Sequence, residues 1–280
     1  MQHIEFFDTD HFENNYHRVK PPASLSHFID FFWQTKFEHL WKKYPHGFSD
    51  ALFPNIGYTY LVNLGTPFIM QVDDKKTQMR TDGFLPRHQA IECFHKPGNI
   101  LFGIKFKISP VLFQKKIDFS EYREQIFPLS YLMDKNILDS IKKPVSFAQR
   151  VEELSVYFRS LVKEHGVGKE AKIVSQILES CNRNNNFTVS IEELAAENGI
   201  SARTLHRYFE ITTSLSSKKT LQILRIRKAV AHIATNPTTF NYANYGYYDH
   251  SHFYKHLKQF MQKNTIHKIQ PHLGLLQKLH

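Results

Sequence analysis

SIEELAAENGISARTLHRYFE, residues 190–210, decides how the C-terminal part of this chain is read. Ser190 opens a helix, and Glu193 three positions on completes a capping box that satisfies two orphan backbone donors. Ile191, Leu194 and Ala195 share one face. Asn198-Gly199 ends the helix, because glycine takes a left-handed backbone position at low steric cost. Ser201 caps a second helix. Ala202, Leu205 and Phe209 point inward from it, and Arg203, His206 and Arg207 share the opposite face. A short helix, a tight turn and a second helix with cations on its free side is a helix-turn-helix pattern. The second helix has the shape and charge to lie in a DNA major groove.

Charge points to the same part of the chain. The formal net charge of the 280 residues is +10. Residues 171–280 hold 14 Lys/Arg against 6 Asp/Glu (+8), while residues 1–170 hold 22 against 20 (+2). A polyanionic partner for the C-terminal part follows from that asymmetry. Cys93 and Cys181 lie far apart with no CxxC, which argues against a disulfide framework and a Cys-rich zinc site. A reducing, cytoplasmic setting is the expectation. MQHIEFFDTD lacks a basic-then-apolar leader pattern, and no apolar run approaches the ~18 residues of a membrane span.

Before residue 110 the chain reads as short strands. Residues 1–26 are polar and irregular. HFIDFFW (27–33), YTYLVNL (58–64), PFIMQV (67–72), AIECF (90–94) and ILFGIKFKI (100–108) follow, separated by turn signals such as Asn55-Ile56-Gly57 and Pro97-Gly98-Asn99. Such spacing predicts a β-sandwich or small barrel. VLFQKKI (111–117) reads as a short helix. In 146–165, Val151, Leu154, Phe158, Leu161 and Val162 stand at helical spacing, so this stripe either covers the β-domain or pairs with a second copy of the chain. HGVGK (165–169) reads as a linker. The division is therefore a β-rich sensing or dimerisation domain over 1–165 and an all-α domain over 170–270, an α+β two-domain chain.

In the second part, Ala171, Val174, Ile177, Leu178 and Cys181 make a first amphipathic helix. Residues 218–235 form a long connecting helix with Leu221, Leu224, Val230 and Ile233 as core candidates, ended by Asn236-Pro237. A second copy of the unit follows. YGYYDHSHFYKHL (245–257) aligns with NGISARTLHRYF (198–209): Gly246 with Gly199, Asp249 with Ser201 as N-cap, Phe253 with Leu205, Leu257 with Phe209, and Lys255 with Arg207. Two helix-turn-helix units on one rigid helix would present two reading heads to major grooves about 34 Å apart.

With these motifs in place, residues 171–265 resemble the AraC/XylS family of bacterial transcription regulators. The resemblance rests on SIEELAAENGISARTLHRYF, on LRIRKA in the connecting helix, and on GYYDHSHFYKHLKQF. It implies seven helices with two DNA-reading helices, the first presenting Ser201, Arg203, Thr204, His206 and Arg207, the second Asp249, His250, Ser251, Tyr254 and Lys255. It further implies double-stranded DNA as partner, a small-molecule effector or a homodimer contact in a β-rich, cupin-like N-terminal domain, and RNA polymerase as a further contact of an activator. PNIGYTYLVNLGTPF and GNILFGIKFKISP resemble the sensing domains of one group of members. The chain departs from the family where Ser214 and Ser217 replace a usual Gly and Pro, in FNYANYG (240–246), and in MQKNT after the second reading helix.

Arginine on a groove-facing helix can donate two hydrogen bonds to guanine O6 and N7, and Arg203 and Arg207, one turn apart, could reach neighbouring steps. The alternative for each is a phosphate contact that positions without reading. Lys255 suits phosphate, since its ammonium cannot make the planar fork. Backbone amides after Ser201 and Asp249 are natural phosphate sites. Arg225, Arg227 and Lys228 are expected to divide between internal acids and DNA backbone. His252 and His256 stand at i, i+4 without the HExxH pattern, and His252 reads as a packed or capping residue. His88, Glu92 and His95 are the residues a metal-dependent, cupin-like enzyme would use, the alternative function. No nucleophile–base set or Gly-rich phosphate loop appears, so no enzyme activity, cofactor or metal is expected.

Overall fold

The computed structural model describes residues 8–72, 74–86, 88–110, 126–143 and 145–260. The expected helix at 111–117 and the MQKNT loop lie outside these residues. A short helix α1 (Thr9–Asn14) begins where the Asp8 carboxylate accepts from His11 N at 2.9 Å. Strand β1 (Tyr16–Val19) pairs antiparallel with β2 (Ile29–Lys36). Residues 8–19 are therefore regular, contrary to the expectation for 1–26. Helix α2 (Glu38–Lys43) leads to β3 (Ser49–Leu52), β4 (Tyr58–Asn63), β5 (Phe68–Val72), β6 (Lys75–Met79), β7 (Gly83–Pro86), β8 (Ile91–Phe94), β9 (Ile100–Phe106) and β10 (Phe127–Pro128). These form two antiparallel sheets, β1-β2-β9-β4-β7-β10 and β3-β8-β5-β6.

The larger sheet is buried on both faces. Phe31 and Trp33 of β2, Leu61 of β4 and Leu101 of β9 pack with Phe68, Met70, Ile91 and Cys93 of the smaller sheet. The alternating residues Phe32, Tyr60, Val62, Phe102 and Ile104 line a second core. Period-two alternation sends neighbours to opposite faces, so these central strands read as nearly continuous apolar runs. The second core is closed by α3 (Lys135–Ile141) and α4 (Phe147–His165), through Leu138, Ile141, Leu154 and Phe158. The stripe on α4 is thus spent on the sheet, with Val151, Leu161 and Val162 half-buried beside it. Each large apolar side chain buried in this way contributes about 1.5–3 kcal/mol.

Helices α5 (Lys169–Asn184), α6 (Ile191–Glu197), α7 (Ala202–Thr213), α8 (Ser217–Thr235) and α9 (His250–Phe260) surround a third core. The apolar periodicity of α5 is buried as read: Val174, Ile177, Leu178 and Cys181 face this core, while Ala171 faces the sheet. Leu221, Leu224, Val230 and Ile233 of α8 are buried beside them. Phe53 and Ile56, from the loop after β3, also belong to this helical core. Arg227 of α8 locks the seam, donating to Phe53 O at 3.1 Å and Pro54 O at 2.9 Å. No described helix is long and apolar enough to cross a membrane.

Candidate nucleic-acid interface

The first unit is set by local chemistry. The Ser190 hydroxyl accepts from Glu193 N and the Glu193 carboxylate accepts from Ser190 N, both at 3.1 Å, so the capping box forms as read. Gly199, at φ 63°, turns the chain, and Ile200 N returns to Ala195 O at 3.0 Å. The Ser201 hydroxyl then caps α7 by accepting from Thr204 N at 3.1 Å. Leu205 and Phe209 are fully buried, which fixes the rotation of α7 about its axis. Arg203, His206 and Arg207 are consequently exposed, around an open hollow that also touches Thr204 and Glu210.

Neither Arg203 nor Arg207 has an ion-pair partner among the described residues; Arg207 only lies 6.0 Å from the Tyr208 ring centre. Their donor forks are available to a ligand. The Nδ1 of His206 is 2.8 Å from the Ser217 hydroxyl, so the residue standing where the resembled family has Pro orients this ring. Ser214, in place of the family's Gly, takes the left-handed conformation at φ 59° and closes α7 with Ser214 N to Glu210 O at 2.9 Å.

The second unit is built differently. The leading helix expected in 240–246 is absent; two 3-10 turns, Pro237–Thr239 and Tyr242–Tyr245, stand there instead. Asn241 explains part of this, since its side chain accepts from Ala243 N at 2.8 Å and offers the backbone a local alternative to helix. Gly246, at φ 72°, makes the turn where a Cβ would come 2.6 Å from Thr188 Cγ2. The Asp249 carboxylate caps α9 by accepting from His252 N at 2.6 Å. Phe253 and Leu257 face the core, as aligned. His250, Ser251 and Lys255 are exposed, and Tyr254 is half-buried, stacked on His250 with centroids 5.9 Å apart.

Polar contacts hold this second unit together and to α8. Arg225 donates to Gly246 O and lies 3.7 Å from the Tyr247 ring centre. The Tyr247 hydroxyl is 2.6 Å from His256 Nδ1. Burial pushes the Tyr247 phenol well above its ordinary range. Burial, with Arg225, His252 and Lys219 nearby, lowers His256 to about 4. His232 Nδ1 meets the Tyr245 hydroxyl at 2.7 Å. Lys228 donates to Asn182 O. Arg225, Arg227 and Lys228, expected to divide between internal acids and DNA backbone, thus each donate to a backbone carbonyl of the chain itself.

His252 and His256 do not converge. His256 faces Tyr247, while His252 Nδ1 accepts from Tyr248 N at 3.4 Å as part of the cap. Glu92 turns to the Ser49 hydroxyl at 2.7 Å, away from His95, so His88, Glu92 and His95 are not gathered. Sequence reasoning passed over Tyr248, which is 90% exposed immediately before Asp249. Nothing distinguished it from its buried neighbours Tyr245 and Tyr247 except the turn around Gly246.

No protein-family model matches the chain, and no curated protein matches it. Solved structures do. The chain is similar to ToxT from Vibrio cholerae O395 at TM-score 0.45 and 11% identity, over 88% of this chain and 92% of that one. It is similar to unsaturated fatty acid-bound ToxT from Vibrio cholerae strain SCE256 at TM-score 0.43 and 10% identity, over 88% and 90%. It is also similar to the AraC-like transcriptional activator CuxR at TM-score 0.30 and 13% identity, over 79% and 89%. None of these likenesses assigns a residue or a ligand to this chain.

Proposed function

We propose that this chain is a sequence-specific, DNA-binding transcription regulator of the AraC/XylS type, with α7 as its principal reading helix. The observation that supports it is the free cationic face of α7. Arg203 and Arg207 stand exposed and unpaired on a helix whose opposite face is locked by Leu205 and Phe209. In this reading the two arginines and His206 address base edges, and Ser201 and Thr204 bring the α7 amides to a phosphate. Asp249 caps a second reading helix that offers His250, Ser251, Tyr254 and Lys255, with Tyr248 beside them.

The division of labour is residues 1–165 for sensing and 170–270 for DNA. A cleft of ≈ 240 Å³ lies between β9 and α5, touched by Lys20, Lys105, Lys107, Ser175, Glu179 and Leu224. A small effector seated there would touch both parts, and the Arg227 bonds to Phe53 O and Pro54 O would transmit its effect to α8. Contact with RNA polymerase, and a homodimer through a surface other than the covered stripe of α4, belong to the same reading.

A mobility-shift series of the full chain against genomic fragments tests it. Retention of a few fragments in the presence of excess unrelated DNA is the expected outcome. Equal retention of all fragments would refute sequence-specific reading.

A further inference from the structure

We infer that the chain holds a thiolate-coordinated metal ion of the zinc class between its two sheets, on Asp50, Cys93 and His95. The sheet register builds the site. Asp50 on β3 is directly opposite Cys93 on β8, so both side chains leave the same face. His95 follows Cys93 by two residues and returns to that face. The carboxylate, sulfur and imidazole atoms all lie within 4.8 Å of one another, and all three residues are buried. A tetrahedral ion with bonds of ~2.0–2.3 Å sets its ligands about 3.2–3.8 Å apart, so closure needs side-chain movements of about 1 Å.

The hydrogen bonds around His95 point to an ion. Asn99 Nδ2 donates to Thr66 O at 3.0 Å, which turns Asn99 Oδ1 toward His95 Nδ1 at 2.7 Å. That oxygen only accepts, so Nδ1 carries a proton and Nε2 is the ring atom left to face Asp50. Nε2 stands 3.2 Å from Asp50 Oδ1, in a place where the two residues are 5% and 2% exposed. Yet neither atom makes a hydrogen bond. An imidazole nitrogen and a carboxylate oxygen at that distance need a proton or a metal ion to hold them together, and the Cys93 sulfur within 4.8 Å of both favours the metal ion. Donation from the far ring nitrogen to a fixed oxygen is the usual support of a metal-bound histidine. Phe37 stacks on the His95 ring at 3.7 Å and fixes its plane.

One thiolate, one imidazole and one carboxylate suit a borderline divalent ion such as Zn²⁺ and are poor for Mg²⁺ or Ca²⁺. The adjoining enclosed cavity, ≈ 20 Å³, has room for one water as a fourth ligand and none for an organic molecule. On binding, the Cys93 thiol loses its proton to solvent and a sulfur–metal bond forms, with no change of oxidation state. The site stands independently of whether α7 reads DNA.

Co²⁺ serves as the spectroscopic probe, in full-length chain freed of any affinity tag and of metal by chelation. Cys181→Ser leaves Cys93 as the one remaining cysteine without touching the site. One equivalent of Co²⁺ is expected to give a sulfur-to-metal charge-transfer band in that variant, displaced by one equivalent of Zn²⁺. The band should vanish in Cys93→Ser and fall at least tenfold in affinity in Asp50→Asn. Zn²⁺ should raise the Tm of the Cys181→Ser protein and leave that of Cys93→Ser unmoved. No band in the folded Cys181→Ser protein would overturn the inference, leaving Asp50 and His95 as a proton-bridged pair. So would Co²⁺ binding that Cys93→Ser does not alter.

Discussion

The two candidate reading helices are held in place by different physics. The first is set by backbone caps and an apolar anchor: the Ser190–Glu193 box, the Gly199 turn and fully buried Leu205 and Phe209. The second lacks a leading α-helix. It is stitched to α8 by Arg225 on Gly246 O and by Tyr245 on His232, and closed on itself by Tyr247 on His256 of α9. Apolar packing does not respond to pH. Burial lowers His256 to about 4, so the second unit packs a titrating side chain where the first packs Leu205 and Phe209.

The largest effect expected from breaking this contrast is in the first unit. Phe209→Ala removes a fully buried ring and should cost about 3–5 kcal/mol, read as a shift in the urea midpoint. Acid comes next and acts on the second unit. His256 titrates at about 4 in the folded chain and near 6.5 when unfolded. The unfolded state therefore binds the extra proton first. Its contribution is whole above about pH 6.5 and is lost as pH falls toward 4, about 2 kcal/mol after allowance for solvent screening. Urea unfolding at pH 7 and pH 5 should show this loss, and His256→Gln should flatten the slope between them. The smallest change sharpens the comparison in the opposite direction. Ser214 is buried at φ 59°, and its hydroxyl has no hydrogen bond among the described residues. Ser214→Gly should stabilise by about 1 kcal/mol, seen as a raised Tm.

Much of this was legible in the sequence because it is written locally. Capping boxes, the Gly199 turn, the stripe on α4 and the five aromatic strands each declare themselves within a few residues. β3, β6 and β7 were not legible. KKTQM buries only Met79 at the edge of the smaller sheet, where polar residues blunt an open strand. The cationic face of α7 follows from helical spacing, whereas the fate of the α8 cations depended on Phe53 and Pro54, which lie more than 150 residues away. The grouping of Asp50 with Cys93 and His95 needed the β3–β8 register, which no local pattern specifies. The missing helix before α9 was hidden by Asn241, whose side chain competes for the backbone that a helix would use.

The free face of α7 carries the functional account, so the decisive measurement is selection of bound sites from a random DNA pool, run in parallel with wild-type chain and with Arg207→Ala. Wild type should enrich two short elements about 10–10.5 base pairs apart, one for each reading helix. Arg207→Ala should relax a single position of one element, by about 1–3 kcal/mol of base preference, and leave the other element intact. Enrichment of the same sequence by both proteins, or of none by the wild type, would mean that α7 does not read DNA.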